Sequence, residues 1–146
     1  MDVNQIFCLL NGHEERNPEV KMDPTEELLL ISIGEKNKFL RGYIRNNSFY
    51  PMSEIALLSN PEYASIVLFY TNYHQFSEDA EAIFILKYHK SSWLWFYISK
   101  YKLSDKAQII LASIPSQIGN FTYHKNRYGV CDAALKIHEQ LMKRNN

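Results

Sequence analysis

Between Asp23 and Cys131 the apolar residues fall into short runs broken by polar or helix-ending residues, and the runs recur at a fixed interval. Setting FSEDAEAIFIL against LSDKAQIILAS superimposes Ser77 on Ser104 and Ala80 on Ala107, a shift of 27 residues. The same shift carries Ala107 to Ala134 and, backwards, Ala80 to Ser53 and Glu26. Beside that column stand Glu27, Glu54, Glu81 and Gln108. Further along the unit Tyr43, Tyr70 and Tyr97 coincide, as do Phe49, Phe76, Leu103 and Val130. A gapless recurrence of this length is the signature of a stacked repeat architecture.

Each unit holds two apolar segments. The first runs from Glu81 to Lys87 and is preceded by Ser77, a capping residue, and by the acids Glu78 and Asp79. Asp23-Pro24 makes the same statement in the first unit: a capping side chain, then proline at the first helical position. The second segment carries apolar residues at 93, 94, 97, 98 and 101, the spacing of one helix face. Gly34, Pro61, Tyr88 and Pro115 separate the two segments. A leucine-rich repeat is excluded, because its Leu-x-x-Leu-x-Leu pattern and asparagine ladder are missing.

The expectation is therefore an all-α chain, a right-handed α-solenoid of four 27-residue helix–turn–helix repeats at 23–49, 50–76, 77–103 and 104–130. It forms one domain, 1–146. Helix pairs this short cannot bury an apolar face alone and must stack. Residues 1–22 supply an N-terminal cap with a leading helix (Val3, Ile6, Phe7, Leu10, capped by Asp2), and residues 131–146 a polar C-terminal capping helix. In the fourth unit Gly119, Asn120 and His124 replace apolar or aromatic residues, which predicts a short or irregular second helix.

The spacing Ser77-x-x-Ala80-Glu81, Ser104-x-x-Ala107-Gln108 and the pair Tyr97-Ile98 resemble short HEAT- or armadillo-like helical repeats, arrays found in bacterial proteins of unassigned role. The resemblance spans residues 23 to 142. It implies architecture and brings no catalytic residues with it.

Composition narrows the function. With 46% hydrophobic and 22% charged residues the chain is globular and not disordered. Sixteen basic residues balance sixteen acidic ones, so any charged partner must read a local patch. Cys8 and Cys131 lie far apart, which speaks for reduced thiols and against a disulfide or zinc scaffold. The N-terminal stretch lacks a basic leader, and Lys87, His89 and Lys90 interrupt the most apolar region, so a cytoplasmic protein with no membrane partner is expected. His13-Glu14-Glu15-Arg16 lacks the second histidine of a zinc helix, and His138 and Glu139 are adjacent and face different ways. No catalytic residue, metal ligand or cofactor is assigned.

What remains is surface. Trp93 aligns with Phe39 and Ile66, and Tyr97 with Tyr43 and Tyr70, which marks these as packing positions. Trp95 aligns instead with Arg41, Leu68 and Thr122, and Phe96 with Gly42, Phe69 and Tyr123. Leu68, Phe69, Trp95 and Phe96 are apolar where packing does not demand it. They either fill gaps between second helices or form an exposed binding patch. Acids, Glu27, Glu54 and Glu81 among them, gather at the starts of first helices, as helix-dipole complementarity asks. Arg41, Arg45, His74, Lys100, Lys102, His124, Lys125 and Arg127 gather towards the ends of second helices. The resulting reading is a non-enzymatic module that binds another protein, or a second copy of itself, through Leu68, Phe69, Trp95 and Phe96. The alternative is a nucleic-acid binder using Arg41, Arg45, Lys100, Lys102, Lys125 and Arg127 with interleaved tyrosines.

Overall fold

The computed structural model describes residues 19–33 and 38–144. The expected leading helix, Cys8, His13 and Gly34 lie outside the described residues. Every regular element among those described is helical: α1 (Pro24–Ile33), α2 (Lys38–Asn46), α3 (Pro51–Ser59), α4 (Ala64–Tyr73), α5 (Glu78–Tyr88), α6 (Ser92–Lys100), α7 (Asp105–Ser113), α8 (Ile118–Tyr128) and α9 (Asp132–Arg144). Single 3₁₀ turns at Pro61–Tyr63 and Pro115–Gln117 lead into α4 and α8. Among the described residues no helix is long and apolar enough to cross a membrane.

The helices α1, α3, α5, α7 and α9 begin at residues 24, 51, 78, 105 and 132, a constant interval of 27. Local chemistry explains several of these starts. Asp23 accepts the Glu26 amide at 2.8 Å while the Glu26 carboxylate reaches back to the Asp23 amide at 3.4 Å, a reciprocal cap that holds the Asp23 carboxyl below its usual pKa. Pro51 opens α3 without losing a bond, since a first-turn amide has no partner inside the helix. The Ser104 hydroxyl accepts the Ala107 amide. Ser77 has the same extended backbone, yet its hydroxyl makes no cap bond to α5. Gly129, at φ +77, turns the chain between α8 and α9 in the left-handed region that glycine tolerates best.

The chain divides into two compact units, Met1–Phe76 and Ser77–Asn146. In the first, α1 packs on α3 and α2 on α4; in the second, α7 packs between α5 and α9, and α6 lies on α8. First helices thus pair with first helices and second with second. The small buried residues Ser53, Ala80, Ala107 and Ala134 recur one turn into the first helices. The core around them is filled by Leu30, Leu57, Ile66 and Val67 in the first unit, and by Phe84, Ile85, Leu94 and Leu111 in the second. The fourth-unit second helix, predicted to be short or irregular, is instead regular and 11 residues long, longer than its counterparts. Phe121 anchors it in the core, and Gly119 and Asn120 fall at its start, where little packing is lost.

Candidate interaction surfaces

The placement of every second helix rests on a polar contact at its centre. Glu27, Glu54 and Glu81 are buried, as are Tyr43, Tyr70 and Tyr97 sixteen residues later. Each tyrosine hydroxyl donates to a carboxylate oxygen, at 2.5 Å for Tyr43 to Glu27, 2.6 Å for Tyr70 to Glu54, and 2.5 Å for Tyr97 to Glu81. The other carboxylate oxygen accepts the amide that begins the next turn of chain, Tyr50 for Glu27 and Ser104 for Glu81, both at 2.7 Å. The hydroxyl in turn accepts a backbone amide, that of Met22 for Tyr43 and of Phe49 for Tyr70. A buried carboxylate is tolerable only when its lone pairs are used in this way. Burial and the neighbouring carboxylate push the Tyr43 and Tyr70 hydroxyls far above their ordinary pKa, so both stay protonated donors. These three glutamates are therefore core residues, not the solvated dipole partners that their position at helix starts suggests.

The last unit solves the same problem with other atoms. His124 and Gln108 stand where tyrosine and glutamate stand elsewhere, and both are buried. The Leu103 amide donates to His124 Nε2 at 3.1 Å, which leaves Nδ1 to carry the proton and donate to the Ile98 carbonyl at 2.9 Å. Burial favours this neutral ring and lowers its pKa. His124 has no proton left for residue 108. Gln108 brings its own donor, to the Leu103 carbonyl at 2.7 Å, and still accepts the Cys131 amide at 2.7 Å. The expected place of His124 in a basic edge is thereby corrected: it is a neutral core histidine.

With the helices so held, each unit presents a different outer surface. In the first, Leu68 and Phe69 of α4 are half-buried. The guanidinium groups of Arg41 and Arg45 lie 5.0 and 5.6 Å from the centre of the Phe69 ring, and Tyr73 packs beside it at 5.2 Å. Residues taken from the apolar and the basic candidate sets therefore form one cluster. In the second unit, Trp95 and Phe96 of α6 are 45% and 60% exposed, set edge to face at 5.3 Å, with Tyr123 of α8 5.8 Å from Trp95. Trp93, read as packing, is half-buried against Tyr88 at 5.2 Å.

The remaining basic candidates lean on their own neighbours. Lys100 is exposed and sits over the Tyr101 ring, and Arg127 is exposed over Tyr128; both cations lie 5.3 Å from the ring centre. Hydrogen bonding to Tyr128 and Tyr123 raises the Arg127 pKa further. Lys102 is exposed and Lys125 half-buried. Two exposed apolar side chains on first helices were missed, Met52 at 68% and Leu86 at 56%. Their aligned positions hold Thr25, Asp79 and Lys106, and Ser59 and Ser113, a polar column that could have flagged both as surface. Among the described residues no group of three His, Cys, Asp or Glu side chains could hold a metal ion. Cys131 is a free, half-buried thiol.

Comparison with protein-family models, with curated proteins and with solved structures gives no match to this chain.

Proposed function

We propose that this chain is a right-handed α-solenoid of four 27-residue repeats that acts without catalysis, binding another protein through aromatic side chains on its second helices. The solenoid reading draws support from the constant interval between helix starts and from the buried glutamate–tyrosine contact that recurs at the same interval. The binding reading rests above all on the exposure of Trp95 and Phe96, adjacent and in ring contact on a helix whose opposite face buries Leu94, Tyr97 and Ile98. Two large rings left in water on a well-packed helix are a standing cost of about 1.5–3 kcal/mol each, relieved when a partner covers them.

The test is substitution of Trp95→Ala and Phe96→Ala, with the fold checked by circular dichroism. Specific partners retained by the wild-type chain are lost from both variants, and an unchanged partner set overturns the reading. Sedimentation across a concentration series separates a second copy from a foreign partner. The alternative, nucleic-acid binding, rests on Lys100 and Arg127 standing exposed beside tyrosine rings; it requires an affinity that falls steeply with salt.

A further inference from the structure

We infer that the first unit carries a seat for the carboxylates of an acidic peptide segment, built from Arg41, Arg45, Phe69 and Tyr73. This rests on the protein-binding reading and specifies the partner's chemistry. Arg41 and Arg45 lie one turn apart on α2 and converge on a single ring of α4. Like charges at that spacing repel. Among the described residues no carboxylate pairs with either guanidinium; Glu27 and Asp79 pair with lysines instead. A cation–π contact with Phe69 consumes no N–H group, so each guanidinium keeps the fork that grips a carboxylate with two parallel bonds. Tyr73, 46% exposed beside Phe69, adds an apolar wall with a polar tip for the peptide's neighbouring side chains.

The repeat itself argues for a short acidic segment over a nucleic acid. A polyanion is tracked by cations that continue along a surface. The positions equivalent to Arg41 in later units hold Leu68, Trp95 and Thr122, and those equivalent to Arg45 hold Asn72, Ser99 and Asn126. At these two positions the charge stops after one repeat, and the later cations Lys100 and Arg127 fall in a different column. A seat two guanidinium groups wide fits one or two Asp or Glu residues flanked by apolar side chains.

The experiment selects a random library of short displayed peptides against the full chain, then measures the enriched peptides by fluorescence anisotropy. Enriched sequences are expected to combine Asp or Glu with apolar residues. Arg41→Gln together with Arg45→Gln should weaken them about tenfold, and Arg41→Lys with Arg45→Lys should give an intermediate loss, since lysine keeps the charge without the fork. Enriched peptides without acidic bias, or with affinities indifferent to both arginine pairs, overturn the inference and leave the binding reading standing. Failure to enrich any peptide overturns both. A single-stranded oligonucleotide bound more tightly than every selected peptide, and lost with the arginines, overturns the inference in favour of nucleic acid.

Discussion

The Tyr43, Tyr70 and Tyr97 hydroxyls bound to Glu27, Glu54 and Glu81, and the Gln108 and His124 side chains that meet at the Leu103 backbone, do the same mechanical work with opposite proton logic. Glu54 offers only acceptors, so it needs the Tyr70 hydroxyl as a donor; that hydroxyl also satisfies the Phe49 amide. His124 satisfies the equivalent Leu103 amide through Nε2, but its one proton is committed to Ile98, so residue 108 must supply its own donor. Gln108 does so, and the pair changes together. The identity of one buried polar residue is thus set by the proton inventory of its neighbour. A formal charge present in three units is absent from the fourth at no loss of hydrogen bonds.

That contrast can be broken most severely at Glu81. Glu81→Ala removes the acceptor of the buried Tyr97 hydroxyl and of the part-buried Ser104 amide, and should cost about 3–5 kcal/mol in urea-induced unfolding at neutral pH. A smaller effect, about 2–3 kcal/mol, is expected for Gln108→Glu, which sets a carboxylate against the Leu103 carbonyl with no donor to replace the amide. Adding His124→Tyr to that variant rebuilds the contact of the other units, so most of the loss should return. A double-mutant cycle showing simple additivity would refute the coupling.

The smallest expected effect comes from acid. The folded pKa of His124 lies below the ordinary value near 6.5, so the unfolded chain binds the proton first. Stability is complete above about pH 6.5 and declines as pH falls from there towards the folded value. Of the charges facing the ring, Glu81 opposes this shift and Lys102 reinforces it. Burial lowers the pKa of His138, packed on Phe121, in the same direction. Thermal melts at mildly acidic pH should therefore lose part of their stability in the wild-type chain and less in the His124→Tyr, Gln108→Glu variant. An equal loss in both would exclude His124 as the source.

Helical character and helix starts were legible in the sequence because they depend on local facts: Pro24 and Pro51 at first helical positions, Ser104 as a cap, and apolar residues at helix spacing. The interval of 27 was legible because the same packing problem recurs. The role of Glu27, Glu54 and Glu81 was not. A glutamate in a first turn satisfies the dipole argument whether it faces water or core, and only the recurrence of tyrosine sixteen residues later separates the two cases. His124 misled for a similar reason: in a string next to Lys125 and Arg127 it reads as basic, while its burial is decided by a backbone amide far from it in sequence. For the surfaces, alignment identified Trp95 and Phe96 as positions not reserved for packing. It could not foresee that Arg41 and Arg45 share the ring of Phe69, because the contact joins two helices and depends on where long side chains lie.

Both tryptophans of the chain, Trp93 and Trp95, belong to the unit Ser77–Asn146. Indole emission is consequently a spectroscopic report on residues of that half, with one indole half-buried and the other more exposed, whereas backbone ellipticity sums over both. Denaturation followed by the two optical signals would therefore show directly whether the halves melt as one body, since midpoints that disagree could arise only from a chain in which they do not.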